Sequence, residues 1–194
     1  MVKIAFSKWS KSSDSEKKYE FSKKLFTKIA KDLLGKETKK LRSNYMGIDN
    51  EGVYKNNDRI LKFTYSIKDY KAALRLIGKN LNNVVAIYSV HKFKLTFKNN
   101  KGYNIYVIEM EALKSLPMKF NNFGIQEVFW VFIAKKNSMS QFLNFTNQIL
   151  NGLMELYKLG IYYYDLHSDN IMVSSNGSYK LIDFGCCTIK KLNK

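Results

Sequence analysis

The part of the sequence that most constrains the fold runs from Asp165 to Asp183. Three side chains that carry oxygen atoms, Asp165, Asn170 and Asp183, follow one another at intervals of five and thirteen residues. The intervening IMVSSNGSYKLI consists of two strand-like pieces around an Asn176-Gly177 turn, which predicts a β-hairpin. Such a hairpin folds the third side chain back beside the first two, so we expect all three to meet.

A cluster of this kind suits the transfer of a phosphoryl group. The reaction needs a divalent cation on the phosphates, a carboxylate that orients the attacking hydroxyl, and positive charge near the phosphate oxygens. Carboxylate and amide oxygens are the protein ligands that Mg²⁺ prefers. A simpler interpretation of the same residues is that DLHSDN forms only a capped polar turn.

Composition indicates a folded protein without a membrane span. The 194 residues are 45% hydrophobic and 14% aromatic, which suffices for one core or two small lobes. The longest apolar run, VFWVFIA, is far shorter than the roughly 20 residues that cross a bilayer, and residues 1–10 lack the apolar region of a signal peptide. We expect a soluble cytoplasmic protein, in the host cytoplasm if it is viral or a secreted effector. Cys186 and Cys187 are expected to be free thiols.

The chain is strongly basic, with 33 Lys and Arg against 16 Asp and Glu and a net charge of +17. This charge favours anionic partners such as nucleotides, acidic proteins, nucleic acid or membrane surfaces. The lysines are scattered and no nucleic-acid recognition motif accompanies them, so we do not expect direct nucleic-acid binding.

The order of predicted elements indicates an α+β chain. Residues 13–34 have helical periodicity behind a Ser13-x-x-Glu16 capping box. We expect this helix to dock on the domain, and a helix lying on a membrane surface is the alternative. Further helices are predicted at 67–81, 124–135 and 140–159. Strands are predicted on either side of the turn at 56–58 and at 84–97 and 103–110, forming a small antiparallel sheet.

These motifs resemble the protein-kinase family, in which a catalytic loop of Asp, four residues and Asn precedes two strands and an Asp-Phe-Gly. Here they read DLHSDN and LIDFG, after the helix-forming QILNGLMELYKLGI. The resemblance implies that Asp165 is the catalytic base or hydroxyl-orienting residue. It also implies that Asn170 is both catalytic and a metal ligand, and that Asp183 is the principal Mg²⁺ ligand.

The first half of the chain resembles the nucleotide-binding lobe of the same family. RILKF is similar to the strand with the phosphate-contacting lysine, which makes Lys62 a catalytic candidate, and NIYVIEMEAL is similar to the strand and hinge that hold adenine. MGIDNEGVYK stands where the Gly-rich phosphate loop belongs and keeps two of its glycines. The ATP-binding residues that the resemblance implies are Gly47, Gly52, Val53, Lys62, Ile108, Glu109 and Glu111.

The implied fold is bilobal, with a small antiparallel β N-lobe that carries one helix and a mainly helical C-lobe truncated after Asp-Phe-Gly. The predicted division is an N-terminal basic amphipathic helix at 1–40, the kinase N-lobe and hinge at 41–112, and the truncated C-lobe at 113–194. The architecture is similar to that of truncated kinases among bacterial effector and viral proteins.

Three positions depart from the family pattern. The strand lysine usually pairs with a glutamate of the next helix, yet no Glu lies between Lys62 and Glu109, so Asp69, Asp183 or no residue orients Lys62. Tyr163-Tyr164 replaces the usual His-Arg, and we therefore do not expect control through activation-loop phosphorylation. His167 replaces a lysine and is similar to its counterpart in small-molecule phosphotransferases, although it could also only brace the loop.

Three functions follow, in order of preference. The first is a minimal ATP- and Mg²⁺-dependent kinase that acts on protein Ser or Thr hydroxyls and needs a partner to complete its substrate surface. The alternative is a pseudokinase-like interaction module that binds nucleotide or an acidic partner without turnover. The third is a small-molecule phosphotransferase. The expected partners are ATP and either a protein substrate or an activating acidic protein.

Overall fold

A computed structural model of the chain describes residues 3–5, 25–41, 50–96, 102–116, 124–127 and 139–190. The helices are α1 at residues 25–34, α2 (Ile67–Leu76) and α3 (Met139–Lys158). The strands are β1 (Lys3–Ala5), β2 (Lys39–Lys40), β3 (Asn50–Asn56), β4 (Arg59–Thr64), β5 (Ile87–Thr96), β6 (Gly102–Glu111), β7 (Lys114–Ser115), β8 (Ile161–Tyr163), β9 (Ile171–Val173), β10 (Tyr179–Leu181) and β11 (Cys187–Ile189). The predicted α+β class is confirmed. Among the described residues, no helix is long and apolar enough to cross a membrane.

The first half of the chain forms a six-stranded sheet in the order β1-β5-β6-β4-β3-β2. Its neighbours pair antiparallel except for β1, which runs parallel to β5. Asn56 pairs with Arg59, so Asn57 and Asp58 form a two-residue turn between β3 and β4. Asn57 has a φ of 51°, a left-handed conformation that asparagine tolerates. The predicted hairpin around residues 56–58 is confirmed.

Helix α1 packs on one face of this sheet. Its apolar side chains Phe26, Ile29 and Ala30 are buried against Tyr54 and Phe63 of the sheet. Burial of this apolar face is what stabilises a short helix. Docking of the helix on the domain is therefore confirmed for the described part, while residues 13–24 of the predicted helix lie outside the described residues.

The other face of the sheet shares a core with the second half of the chain. This core joins α2, α3 and the β9–β10 hairpin through side chains that include Leu76, Ile108, Ile149, Leu181 and Phe184. Helix α3 ends within one residue of its prediction. Helix α2 ends five residues earlier than predicted, because Ile77 bridges Ile87 and Gly78 adopts a φ of 68°. Of the helix predicted at 124–135, the described residues are 124–127: Gly124 forms a bridge with His167 instead, and 125–127 are helical.

The loop that follows α2 is fastened to α3 and β10. The backbone N–H groups of Asn82 and Asn83 donate to the Glu155 carboxylate at 3.0 and 3.1 Å. The buried Asn83 amide donates to Gln148 Oε1 at 3.2 Å and to the Tyr179 carbonyl at 2.9 Å. These bonds fix the loop between α2 and β5 against α3 and against the β9–β10 hairpin, which carries the predicted site.

A substitution at Gly152 of α3 tests how closely α3 packs against the loop at Asn83. A Cβ at Gly152 would lie 2.6 Å from the Asn83 carbonyl oxygen, which already accepts a 2.9 Å hydrogen bond from Leu181 N. We expect Gly152→Ala to lower the free energy of unfolding by about 1–3 kcal/mol, the usual cost of overpacking, even though alanine has the higher helix propensity. Urea denaturation measures the effect, with the exposed Asn151→Ala as control. Equal stability of Gly152→Ala and wild type would contradict the close approach.

Candidate active site

Three of the predicted nucleotide-binding residues lie side by side across the sheet. Val53 of β3 pairs with Lys62 of β4, and Lys62 pairs with Ile108 of β6. Directly opposed residues of antiparallel strands point to the same face. Val53, Lys62 and Ile108 therefore share the sheet face opposite to α1. Gly47 lies outside the described residues.

Gly52 precedes this row at a bulge in β3. Its φ is 146°, and a Cβ there would lie 2.9 Å from Lys40 Cε. The backbone conformation favours glycine, whereas the end of the flexible Lys40 side chain could move to make room. The structure thus gives a reason for glycine at position 52, and its predicted contact with ATP stays a prediction.

Lys62 is held by two carboxylates. Its Nζ lies 2.6 Å from Asp69 Oδ2 and 2.8 Å from Asp183 Oδ1. Only 9% of the Lys62 side chain and 2% of the Asp69 side chain are exposed, against 33% for Asp183. The sequence left open whether Asp69, Asp183 or no residue orients Lys62. In the structure both Asp69 and Asp183 do so.

The start of α2 places Asp69 at this position. Ser66 is the N-cap residue, and its side-chain oxygen accepts a hydrogen bond from Asp69 N at 3.2 Å. Only Tyr65 and Ser66 separate β4 from α2, so the first turn of the helix lies directly beside the strand that carries Lys62. A carboxylate in the first turn is also favoured by the helix dipole.

Asp183 adopts a conformation that is rare for a residue with a side chain. Its φ is 56°, and its Oδ1 accepts a hydrogen bond from Gly185 N at 3.2 Å as well as from Lys62. Phe184 N donates to Asp69 Oδ1 at 3.3 Å. Left-handed residues of this kind concentrate at functional sites. Asp69 thus binds both the lysine and the backbone that follows Asp183.

The cluster contains one ammonium group and two carboxylates. Burial would lower the pKa of Lys62, but the charges of Asp69 and Asp183 outweigh it and raise that pKa. Burial raises the pKa of Asp69, and the ammonium of Lys62 opposes this only in part. Burial acts in the same direction on Asp183, yet Lys62 lowers its pKa overall. Burial thus dominates at Asp69, whereas the charge of Lys62 dominates at the more exposed Asp183.

Asp165 and Asn170, for which the resemblance implies a catalytic loop, contact each other. Asn170 Nδ2 donates to the Asp165 carbonyl at 2.9 Å and to Asp165 Oδ2 at 3.0 Å. Ile182 N donates to the Asn170 carbonyl at 3.0 Å, which fixes Asn170 beside Asp183. The β9–β10 hairpin pairs Leu181 with Ile171 and supplies the fold-back predicted from the sequence.

His167 braces this loop. Its Nε2 lies 2.8 Å from Asn170 Nδ2 and 3.6 Å from Asp165 Oδ2. Because the Asn170 amide nitrogen only donates, His167 Nε2 is the acceptor in this contact. The amide nitrogen of Asn170 faces Asp165 and His167. Its amide oxygen is therefore the atom that is suited to ligate a cation.

The side chains of the two predicted hinge glutamates make contacts elsewhere. Glu109 accepts hydrogen bonds from Arg59 Nη1 at 2.5 Å and from Ser89 Oγ at 2.6 Å. Burial favours a higher pKa for Glu109, but these two bonds outweigh it and lower that pKa. Glu111 Oε1 accepts from Ala86 N and Lys180 Nζ, both at 2.7 Å. The backbone roles predicted for Glu109 and Glu111 stay predictions.

Tyr163 is a site residue that the sequence analysis did not identify. Its hydroxyl donates to the Ile182 carbonyl at 2.7 Å, and its ring packs against Phe184 with 6.0 Å between centroids. Burial, with the charges of Asp183 and Asp165, raises the pKa of Tyr163 well above its usual value. The neutral hydroxyl thus fixes the backbone that leads to Asp183. In the sequence, only the place of Tyr163 as an aromatic residue just before Asp165 pointed to this role.

The two cysteines after Asp-Phe-Gly are thiols outside any disulfide, as predicted, and they differ in exposure. Cys186 is exposed, whereas burial raises the pKa of Cys187 to about 11. Because the thiolate is the reactive form, we expect iodoacetamide at pH 8 to modify Cys186 and spare Cys187 in the native protein. Peptide mass spectrometry measures this, and urea-unfolded protein, in which both react, is the control. Equal modification of both in native protein would contradict the burial of Cys187.

Comparison with known proteins agrees with this geometry. Residues 81–194 match the family described as Protein kinase domain. The chain is 26% identical over 158 residues to Mitogen-activated protein kinase kinase kinase 9 of Arabidopsis thaliana, covering 79% of this chain and 19% of that protein. It is 27% identical over 132 residues to Serine/threonine-protein kinase PRR2 of Saccharomyces cerevisiae, covering 64% and 18%. A 40-residue stretch is 48% identical to Serine/threonine-protein kinase ste20 of Aspergillus fumigatus, covering 21% and 5%. The chain thus spans less than a fifth of the length of these relatives.

Proposed function

The chain belongs to the protein kinase domain family, and from this premise we propose that it transfers the γ-phosphate of ATP to serine or threonine hydroxyls of proteins. Family membership implies ATP and a divalent metal in general. The observation that carries the proposal is the Lys62–Asp69–Asp183 cluster, which lies one hairpin away from Asp165 and Asn170. The serine/threonine kinases among the similar proteins support the choice of acceptor.

ATP would bind on the sheet face that Val53, Lys62 and Ile108 share. The apolar side chains of Val53 and Ile108 suit the adenine ring, and the Lys62 ammonium suits the phosphate oxygens. Because Asp69 and Asp183 already orient Lys62, its charge needs little rearrangement when the phosphates arrive. Pre-organised charge of this kind stabilises the charge that develops on the transferred group.

The residues present fit Mg²⁺. Asp183 offers an ionised carboxylate that is 33% exposed, and Asn170 offers its amide oxygen while its nitrogen is held by Asp165. Both are the hard oxygen ligands that Mg²⁺ takes. When bound there, Mg²⁺ would neutralise charge on the phosphate oxygens.

Asp165 would act on the acceptor. Its side chain is 40% exposed, so a substrate hydroxyl can reach it, and Asn170 Nδ2 holds its Oδ2 at 3.0 Å. The carboxylate orients the hydroxyl and accepts its proton while the hydroxyl oxygen bonds to the γ-phosphorus and the bond to the leaving oxygen breaks. His167 fixes this geometry through Asn170.

An acidic protein is the second part of the proposal, either as an activating partner or as the target of an interaction module without turnover. The net charge of +17 supports it. Affinity for such a partner should fall as salt is added, because screening weakens attraction between exposed charges. Binding that does not change with salt would exclude it.

Transfer of label from γ-³²P-ATP tests the enzymatic proposal. With Mg²⁺ and a mixed protein substrate, the wild type is expected to yield phosphoserine or phosphothreonine after acid hydrolysis, and Asp183→Asn to yield none above background. Nucleotide binding without transfer would favour the interaction module. Equal labelling by wild type and Asp183→Asn would overturn the assignment of the site.

A further inference from the structure

Arg75, in the last turn of α2, binds three backbone carbonyls of the second half of the chain. Its Nη1 donates to the Leu159 carbonyl at 2.7 Å and to the Gly160 carbonyl at 3.1 Å. Its Nη2 donates to the Lys190 carbonyl at 2.6 Å. The planar guanidinium presents its donors in a rigid fork, so these bonds form one fixed clamp.

The carbonyls that Arg75 binds lie where two elements end. Leu159 and Gly160 directly follow α3, whose last carbonyls have no partner within the helix. Lys190 directly follows β11, and its N–H donates to the Gly160 carbonyl at 3.0 Å. Arg75 therefore joins the end of α2, the end of α3 and the end of β11 at one point.

The opposite end of α2 binds the active-site cluster. Asp69 contacts Lys62 and accepts from Phe184 N. Residues 184–190 thus begin at a contact with Asp69 and end at a contact with Arg75. The two residues are six positions apart on a continuous helix, which is about 9 Å along its axis. Helix α2 therefore contacts both ends of the segment 184–190.

Fully buried apolar side chains supply only part of what positions α2, beside the stacking of Tyr70 on Tyr106 with 4.3 Å between ring centroids. Its buried apolar residues are Ala72, Ala73 and Leu76, so two of the three are alanines with little surface to remove from water. A short helix with such a narrow apolar face depends on its polar contacts for position. The charged, three-way contact of Arg75 lies at the C-terminal end of the helix, next to the buried Leu76, and adds polar bonds to that apolar contact.

We propose that Arg75 is a positioning residue for phosphate transfer. By fixing the far end of α2, it keeps Asp69 against Lys62 and Phe184 without any input from a phosphorylated segment. This rests on the proposed function, because the Lys62–Asp69–Asp183 cluster is its phosphate-binding part. Arg75 itself touches neither the cluster nor the reacting atoms.

Three variants test the proposal: Arg75→Ala, Arg75→Lys and, as matched control, Lys71→Ala on the exposed side of the same helix. The first measurement is the acetylation rate of Lys62 Nζ by sulfosuccinimidyl acetate, followed by peptide mass spectrometry. The second is kcat and the KM for protein substrate. Circular dichroism establishes a temperature at which all variants are folded.

Arg75→Ala is expected to speed acetylation of Lys62 and to lower kcat by up to about a hundredfold, the loss that a misplacement of about 1 Å can cause, while KM for protein substrate stays unchanged. Arg75→Lys should be intermediate, because an ammonium keeps the charge but lacks the fork. Lys71→Ala should match wild type in both measurements.

Two results would overturn the proposal. One is that Arg75→Ala melts at a lower temperature than wild type but keeps the wild-type acetylation rate of Lys62 and the wild-type kcat. That result would mean that Arg75 only stabilises the fold. The other, if Arg75→Ala does not fold, is wild-type acetylation of Lys62 in Arg75→Lys. Should the wild type transfer no phosphate, the proposed function fails, while the acetylation of Lys62 still decides the role of Arg75.

Discussion

Replacing Asp165 with asparagine is expected to lower kcat by about 10²–10⁴-fold, the usual contribution of a general base. The amide has nearly the same shape, and its oxygen can still accept the hydrogen bond that Asn170 Nδ2 gives to Asp165 Oδ2 at 3.0 Å. What the variant lacks is the ability to take a proton from the acceptor hydroxyl. The loss should therefore fall on kcat, with ATP affinity close to that of wild type.

Steady-state kinetics with saturating ATP and a protein substrate measure this effect. The chain offers a matched control four residues further on, because Asp169 is exposed in the same loop. Asp169→Asn removes the same charge from the same neighbourhood and should leave kcat unchanged. Wild-type turnover by Asp165→Asn, or an equal loss in Asp169→Asn, would show that Asp165 does not act on the acceptor.

Replacing Lys62 with methionine is expected to lower the free energy of unfolding by about 3–5 kcal/mol, the usual cost of leaving one member of a buried ion pair alone. Asp69 is only 2% exposed, and among the described residues its Oδ2 has the Lys62 ammonium at 2.6 Å but no hydrogen-bond donor in good geometry. Removing the ammonium leaves this carboxylate charged, buried and uncompensated.

The loss should depend on pH. Burial already raises the pKa of Asp69 in the folded protein, and loss of Lys62 raises it further. A carboxylate whose folded pKa lies above its unfolded value loses stability as the pH rises from the unfolded pKa, about 3.9, to the folded pKa. Lys62→Met is therefore expected to be least destabilised in acid and most destabilised above the folded pKa of Asp69.

A double-mutant cycle separates this charge effect from lost packing. Asp69→Asn added to Lys62→Met removes the buried charge, so the double variant should recover much of the stability that the single variant lost. Lys68→Ala, an exposed lysine of the same helix, is the control for net charge. Urea denaturation at several pH values gives the free energies. If the losses in free energy of unfolding of Lys62→Met and Asp69→Asn simply add in the double variant, Lys62 and Asp69 are not coupled.

Short-range sequence patterns were enough to predict the helix and the hairpin that carry the site. The Asn176-Gly177 turn and its two strands predicted the hairpin that returns Asp183 to Asn170, and the structure has it. The spacing of apolar residues predicted α3 within one residue at each end. The resemblance named Val53, Lys62 and Ile108 as ATP-binding residues without placing them relative to one another, and the structure shows them side by side in the sheet. The division of the chain into segments at 1–40, 41–112 and 113–194 stays a prediction.

Long-range contacts are what the sequence did not reveal. Arg75 meets carbonyls that are 84, 85 and 115 residues away, and Asn83 meets Tyr179 at a distance of 96 residues. Neither contact leaves a periodic or motif signal, since the partner is a backbone carbonyl that every residue has. The pairing of Lys62 was left open for a related reason: it depends on how the two-residue connection and the Ser66 cap turn the start of α2.

Calorimetric titration of ATP, with Mg²⁺ and with EDTA, tests most directly whether these residues form a metal–nucleotide site. The wild type is expected to bind ATP more tightly with Mg²⁺ than with EDTA, and Asp183→Asn is expected to lose that difference while keeping a native circular dichroism spectrum. Equal affinity of the wild type under both conditions, or an undiminished effect of Mg²⁺ in Asp183→Asn, would contradict the proposed site.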